Sequence, residues 1–208
     1  MKIIGIQKLK DKELYLIKLD NDVTFISNLE DLIKYDIKEE KEYSLEEINQ
    51  IIYNCEFSKA YNYSLYILGL KQYTTKEMIN KLKKKGFSEQ IIDTVVEKLK
   101  NYCLLDDEKY ATKFIKDCLN KKMGTRNIKY KLISKGINID LSVECINEET
   151  IYNNAKSIAL KKLKSLKADK NIKGKLYQFL IYKGYENEII FKVLREILND
   201  KFEDGDLI

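Results

Sequence analysis

The stretch Leu82-Lys-Lys-Lys-Gly-Phe87 returns as Leu132-Ile-Ser-Lys-Gly-Ile137 and again as Leu180-Ile-Tyr-Lys-Gly-Tyr185. Its glycines, Gly86, Gly136 and Gly184, stand 50 and 48 residues apart. Recurrence at a nearly fixed period means that one small unit is used three times. Each copy reads as the end of one helix and the start of the next. The Leu is a last core contact, the Lys suits the negative end of the helix dipole, and the Gly accepts the left-handed conformation that closes a helix. The apolar residue after the Gly is placed to fold back onto the helix just ended. One Leu-x-x-Lys-Gly is a common helix ending; three with matching flanks are a repeat.

The flanks do match. Four residues before each Leu stand Met78, Ile128 and Leu176. After each Gly, Ile91, Leu141 and Ile189 come at offset 5, Val95, Cys145 and Val193 at offset 9, and Val96, Ile146 and Leu194 at offset 10. These offsets lay one apolar stripe along a helix. At offset 13 Leu99 and Ile197 agree but the middle copy has Glu149, which predicts a shorter last helix there. The spacing predicts helices at about 59–70, 75–85 and 88–102, then 107–121, 125–135 and 138–147, then 149–166, 170–183 and 186–199. Thr74 or Thr75 is placed to cap the second helix and Ser88 the third. Units this small gain stability by packing on their neighbours, which predicts an extended array.

Residues 1–27 look β. Ile3, Ile4 and Ile6 lead to a turn at Lys10-Asp11-Lys12; Leu14, Leu16, Ile17 and Leu19 form a second strand; Asn21-Asp22 turns into a third with Val23, Phe25 and Ile26. A three-stranded meander is marginal alone and needs a helix to lean on. Asn28 is a candidate cap for a short helix through Tyr35, and Ser44-Leu-Glu-Glu47 is a capping box opening another through about Asn54. The expected fold is mainly α, with three tandem three-helix repeats behind a small β-rich segment. The expected divisions are 1–57, 58–104, 105–148, 149–200 and an acidic tail at 201–208.

Composition narrows the chemistry. The 208 residues include no histidine and no proline, so the usual general base and the Ser-His and Cys-His pairs are missing. No glycine-rich phosphate loop is present. Cys55, Cys103, Cys118 and Cys145 form no Cys-x-x-Cys pair; zinc sites of ordinary spacing are excluded, and four buried free thiols are expected. Carboxylates and lysines can still do chemistry, so the missing histidine weakens an enzyme reading without ending it. The start Met-Lys-Ile-Ile-Gly-Ile-Gln-Lys lacks a signal-peptide core, and no apolar run is long enough to span a membrane. A cytoplasmic, monomeric protein is the expectation.

Charge is divided along the chain. Residues 1–57 hold 8 lysines against 13 acids, a net of −5; residues 58–208 hold 30 basic residues against 20 acids, a net of +10. The repeats therefore suit an anionic partner. Residues 109–135 carry nine basic residues and one acid, and residues 155–183 nine lysines and one acid. The turn Lys121-Lys122-Met123-Gly124-Thr125-Arg126 puts cations beside a helix start, where free N–H groups favour an anion; a solvated helix face is the plainer alternative. Such lysines hold phosphate without reading sequence and equally suit an acidic protein groove. Among fifteen tyrosines, Tyr61, Tyr63 and Tyr66 crowd one helix; packing explains them better than base stacking. Asp106-Asp107-Glu108 stands where a helix begins and reads as its cap rather than as a metal or acid–base site.

These residues carry a resemblance. Leu104-Leu105-Asp106-Asp107-Glu108-Lys109-Tyr110-Ala111, followed by Gly124-x-x-x-Ile128-x-x-x-Leu132-x-x-Lys135-Gly136-Ile137, resembles the central repeat of the RecX family of RecA regulators. The first repeat agrees through Ala60, Leu65, Thr74, Glu77-Met78, Leu82 and Gly86-Phe87, and the β-rich start resembles the extended N-terminus of Gram-positive members. The likeness is most specific at 104–137 and weakest after 150. It departs where the family often has Arg-x-Arg: here the positions are Lys71 and Tyr73, and lysine does not replace a bidentate arginine. The resemblance implies an α-helical array that binds RecA recombinase on single-stranded DNA and modulates it, usually by inhibition, in DNA repair and the SOS response, with no catalysis and no cofactor. Candidate contacts are Lys113, Lys116, Lys121, Lys122, Arg126 and Lys129 in the second repeat, Lys161, Lys162, Lys164, Lys173 and Lys175 in the third, and Lys71 in the first. A sequence-independent nucleic-acid module acting without RecA is the alternative; an enzyme would need a polar pocket of converging carboxylates or lysines.

Overall fold

The computed structural model describes residues 1–10, 13–138, 146–166 and 171–203, the last five of these as backbone. It has two compact units, Met1–Leu105 and a second beginning at Asp106.

The first unit opens with an antiparallel meander of β1 (Ile3–Lys8), β2 (Leu14–Leu19) and β3 (Thr24–Asn28) in the order β1-β2-β3. The expected turn at Lys10-Asp11-Lys12 lies partly outside the described residues. Ile3 pairs with Leu19 and Ile17 with Phe25, and the register shifts between Ile3 and Gly5. All four of those paired apolar side chains are buried on one face, as the period of a half-covered sheet requires. Asn28 caps α1 (Leu29–Lys34): its Oδ1 accepts from the Asp31 N–H at 2.7 Å.

The Ser44–Glu47 capping box forms in both directions, at 2.8 and 3.1 Å, and opens α2 (Leu45–Leu70). Here the expectation of two helices, one ending near Asn54 and one starting near 59, is corrected: α2 is a single 26-residue helix. Between Leu45 and Gly69 no glycine or proline occurs to stop it, so the backbone continues while its buried face turns. Ile48, Ile51 and Cys55 pack on the sheet; further along, Ala60 and Ile67 join the core formed with α3 (Thr75–Lys84) and α4 (Glu89–Asn101). The buried Ser64 hydroxyl donates to the Ala60 carbonyl at 2.8 Å. Tyr61 and Tyr63 pack against this core while Tyr66 is exposed. Thr74 and Glu77 form a second capping box at the start of α3. Ser88 stands at the N-cap of α4 with the right backbone, yet its side chain makes no cap hydrogen bond.

The second unit holds α5 (Asp107–Asn120), α6 (Thr125–Ser134), α7 (Glu148–Ser165), α8 (Ile172–Lys183) and α9 (Asn187–Glu203). Asp106 caps α5 by accepting from the Lys109 N–H at 2.8 Å, the structural role read from its position. Most of the helix expected at 138–147, with Leu141 and Cys145 of the stripe, lies outside the described residues. Ala111, Ile115, Cys118, Ile128, Leu132 and Ile137 form one small core; Ile151, Ala155, Leu176, Leu180, Tyr185 and Val193 belong to another, and Leu119 and Ile146 pack against both.

All three repeat glycines have positive φ: +84° at Gly86, +80° at Gly136 and +89° at Gly184. The residue after each donates its N–H back to the repeat Leu carbonyl, Phe87 to Leu82, Ile137 to Leu132 and Tyr185 to Leu180. The glycine N–H donates to Lys83, Ile133 or Ile181. This is the paired hydrogen-bond closure that a left-handed residue permits, and the Leu of each copy is buried.

Candidate functional site

The turn singled out as an anion site is already occupied by protein. Gly124, the N-cap of α6, is buried. Its N–H donates to the Lys183 carbonyl at 2.9 Å, and the Arg126 N–H donates to the Gly184 carbonyl at 3.0 Å. The start of α6 therefore sits on the end of α8, donor groups against acceptor groups, with the dipoles arranged favourably. A β-carbon on Gly124 would fall 2.2 Å from the Gly184 carbonyl carbon, so only glycine fits. Around this contact, Asn127 Nδ2 donates to the Tyr182 carbonyl at 3.0 Å. Thr125 Oγ1 donates to Glu186 Oε1 at 3.1 Å. The Tyr185 hydroxyl donates to the Lys122 carbonyl at 2.9 Å; burial pushes that phenol up to about 12. Gly124 thus lies in a seam between the second and third repeats, with Lys121 and Arg126 exposed beside it.

The seam also engages two candidate cations. Lys122 is half-buried at φ +54° and its Nζ donates to Ser157 Oγ at 2.5 Å. Lys129 lies 3.8 Å from Glu186 Oε1. Arg126, in the first turn of α6, is exposed. Lys113 and Lys116 are exposed one turn apart on α5, with Lys121 exposed at its C-cap. On α7 Lys161 and Lys164 are exposed, while Lys162 is half-buried with its ammonium 5.8 Å from the centre of the Phe179 ring. Lys173 and Lys175 are exposed in the first turn of α8. In the first unit Lys71 is exposed at the C-cap of α2, its ammonium 4.5 Å from the centre of the Tyr73 ring.

Of these cations, Lys162, Lys173 and Lys175 converge on one cleft of about 1030 Å³ between the end of α7, α8 and α9. Its aromatic lining went unread in the sequence. A signal for it existed: Tyr182, 80% exposed, holds the repeat position that Lys84 and Ser134 hold in the other copies.

The thiols divide. Cys55 and Cys118 are buried, and burial lifts both, Cys55 to about 11. Cys103 departs from expectation: it is exposed, at φ +54° in the turn after α4. Cys145 lies outside the described residues. Among the described residues no three acidic or thiol groups come together to hold a metal ion, and no helix is long and apolar enough to cross a membrane.

Two family models match the chain: the first three-helix domain of RecX over residues 60–99 and its third three-helix domain over residues 148–194. The regulatory protein RecX of Clostridium perfringens (strain SM101 / Type A) is 36% identical over 191 residues, 88% of this chain and 90% of that one. This chain belongs to the RecX family of regulatory proteins. The RecX protein of Clostridium botulinum (strain Alaska E43 / Type E3) is 33% identical over 97% of both chains. A crystal structure of regulatory protein RecX superposes with a TM-score of 0.70 at 25% identity, covering 94% of this chain and 98% of the other. The third-domain match of the RecX model runs through the stretch where the motif resemblance was weakest.

Proposed function

We propose that this chain binds RecA recombinase and its filament on single-stranded DNA and restrains recombinase activity in the cytoplasm, as a monomer, without catalysis or cofactor. The observation that carries this reading is identity of 33–36% over most of the chain to proteins named regulatory protein RecX. The exposed lysines support it. Lys113 and Lys116 on α5 and Lys121 at its C-cap are exposed, and their charge favours an anionic filament surface. Lys122 and Lys129 are half-buried and contribute less. The test measures the DNA-dependent ATPase and strand exchange of RecA at stoichiometric levels of this protein, together with retention by immobilised RecA with and without single-stranded DNA. Inhibition by the wild type, weakened in the Lys113→Glu/Lys116→Glu/Lys121→Glu variant, is the expected result. No effect of the wild type on either activity sinks the proposal. Equal binding to DNA with RecA absent, with a steep salt dependence, favours the plain nucleic-acid module instead.

A further inference from the structure

The last two turns of α2 have an outer face that the fold does not use. Each repeat's first helix has a buried alanine, Ala60, Ala111 or Ala155, and the positions six, nine and ten residues after it are exposed in all three copies. The second copy fills them with Asp117, Asn120 and Lys121 and the third with Lys161, Lys164 and Ser165, as a solvated helix face requires. The first copy has Tyr66, Gly69 and Leu70. Tyr66 is 66% exposed, Leu70 68% and the adjoining Leu65 37%. Residues 65, 66, 69 and 70 are neighbours on one side of a helix, so the patch is contiguous. Contiguous apolar surface rimmed by polar groups marks a contact site.

Gly69 is a second, independent sign. It lies inside α2 and, unlike Gly86, Gly136 and Gly184, has no positive φ. A β-carbon on it would meet nothing within 4 Å. The fold therefore uses neither its freedom nor its smallness, while glycine within a helix costs stability relative to any residue but proline. Its missing side chain leaves a notch beside Leu65, Tyr66 and Leu70, which lets another chain approach closely.

The chemistry of the patch selects a protein. Leu65 and Leu70 are aliphatic and give a nucleobase nothing to stack on. No acidic residue occurs from 57 to 76, and Lys59 and Lys71 are exposed at the two ends of the patch. A second copy seated symmetrically on this face would bring those like charges together. An apolar segment bordered by carboxylates is the complementary occupant.

We infer that this face of the first repeat grips a partner protein, seating a large apolar side chain in the notch at Gly69 with carboxylates facing Lys59 and Lys71. The inference rests on the regulatory reading and makes the partner the recombinase itself, held by the first repeat through apolar contact and by the second through charge. The experiment measures retention of the full chain on immobilised RecA without DNA, at about 0.1 M and about 0.5 M salt. Tyr66→Ser/Leu70→Ser should weaken retention about tenfold at both salt concentrations, as loss of an apolar anchor does, with little change in melting temperature. Lys113→Glu/Lys116→Glu/Lys121→Glu should weaken it mainly at the lower salt. Gly69→Gln should raise the melting temperature through better helix propensity and still weaken retention about tenfold; a glycine needed by the fold would lower the melting temperature instead. A wild type that RecA does not retain sinks the inference together with the regulatory reading. Retention of the wild type, matched by both patch variants, sinks the inference alone, as does a lower melting temperature for Gly69→Gln. A dimer of the free chain that Tyr66→Ser/Leu70→Ser dissociates in sedimentation, or oligothymidylate binding that this variant loses, gives the face to another occupant and overturns the inference.

Discussion

Glycine at three residues does three different jobs. Gly86 needs only its backbone freedom: a β-carbon there meets nothing within 4 Å, so Gly86→Ala should cost about 1–2 kcal/mol, the strain of a left-handed non-glycine residue. Gly184 has the same conformation, but its β-carbon would lie 2.5 Å from Asn127 Cγ and 2.8 Å from the Asn127 backbone nitrogen. Gly124 has an ordinary φ and no room at all. Urea unfolding should therefore rank Gly86→Ala mildest, with Gly184→Ala and Gly124→Ala each more damaging; equal losses would contradict the seam. Asp31, 3% exposed, makes a pH prediction. Burial raises its carboxyl above 3.8, against hydrogen bonds from Ser58 and Asn28 that lower it. Between 3.8 and the raised value the folded chain holds the proton more tightly than the unfolded chain. This group's contribution to stability therefore falls as pH rises through that window. The difference in melting temperature between wild type and Asp31→Asn should change across that window in this direction; a pH-independent difference would refute it. Thiol labelling followed by peptide mapping should modify Cys103 long before Cys55 or Cys118, as exposure and the raised buried thiols require.

At the scale of elements, helix ends were the most legible part of the sequence, because a cap is decided by residues within one turn. Ser44 with Glu47, Thr74 with Glu77, Asp106 and the three repeat glycines all act where the sequence placed them. Ser44→Ala and Thr74→Ala should each cost about 1 kcal/mol, while Ser88→Ala should cost clearly less, since that hydroxyl makes no cap bond; thermal or urea melts of the three variants decide it. The length of α2 was not legible. A charge change near residue 57 suggested a boundary, but a helix ends at a stop signal rather than at a change of partner. The 26-residue helix moves from the sheet to α4 without a break, with Tyr53 hydrogen-bonded to Thr94 at 3.0 Å.

For the whole molecule, the net charge of the repeats was plain in composition, but which cations remain available was not. Lys122 and Arg126 read alike in sequence. The partners of Lys122, Ser157 and Tyr185, are 35 and 63 residues away, beyond any local pattern. The same distance hid the cleft, whose apolar lining comes from three helices. Association through exposed lysines should weaken steeply as salt rises above about 0.1 M, where the screening length is about 10 Å, while the melting temperature changes little; retention on the RecA filament and thermal melts over one salt series test this together. The seam at Gly124 has a consequence for the order of events in synthesis. The amide groups of Gly124 and Arg126 find their acceptors only at Lys183 and Gly184. A nascent chain that has just delivered its middle repeat from the ribosome still lacks these acceptors. Water serves that helix start until the third repeat has followed it out.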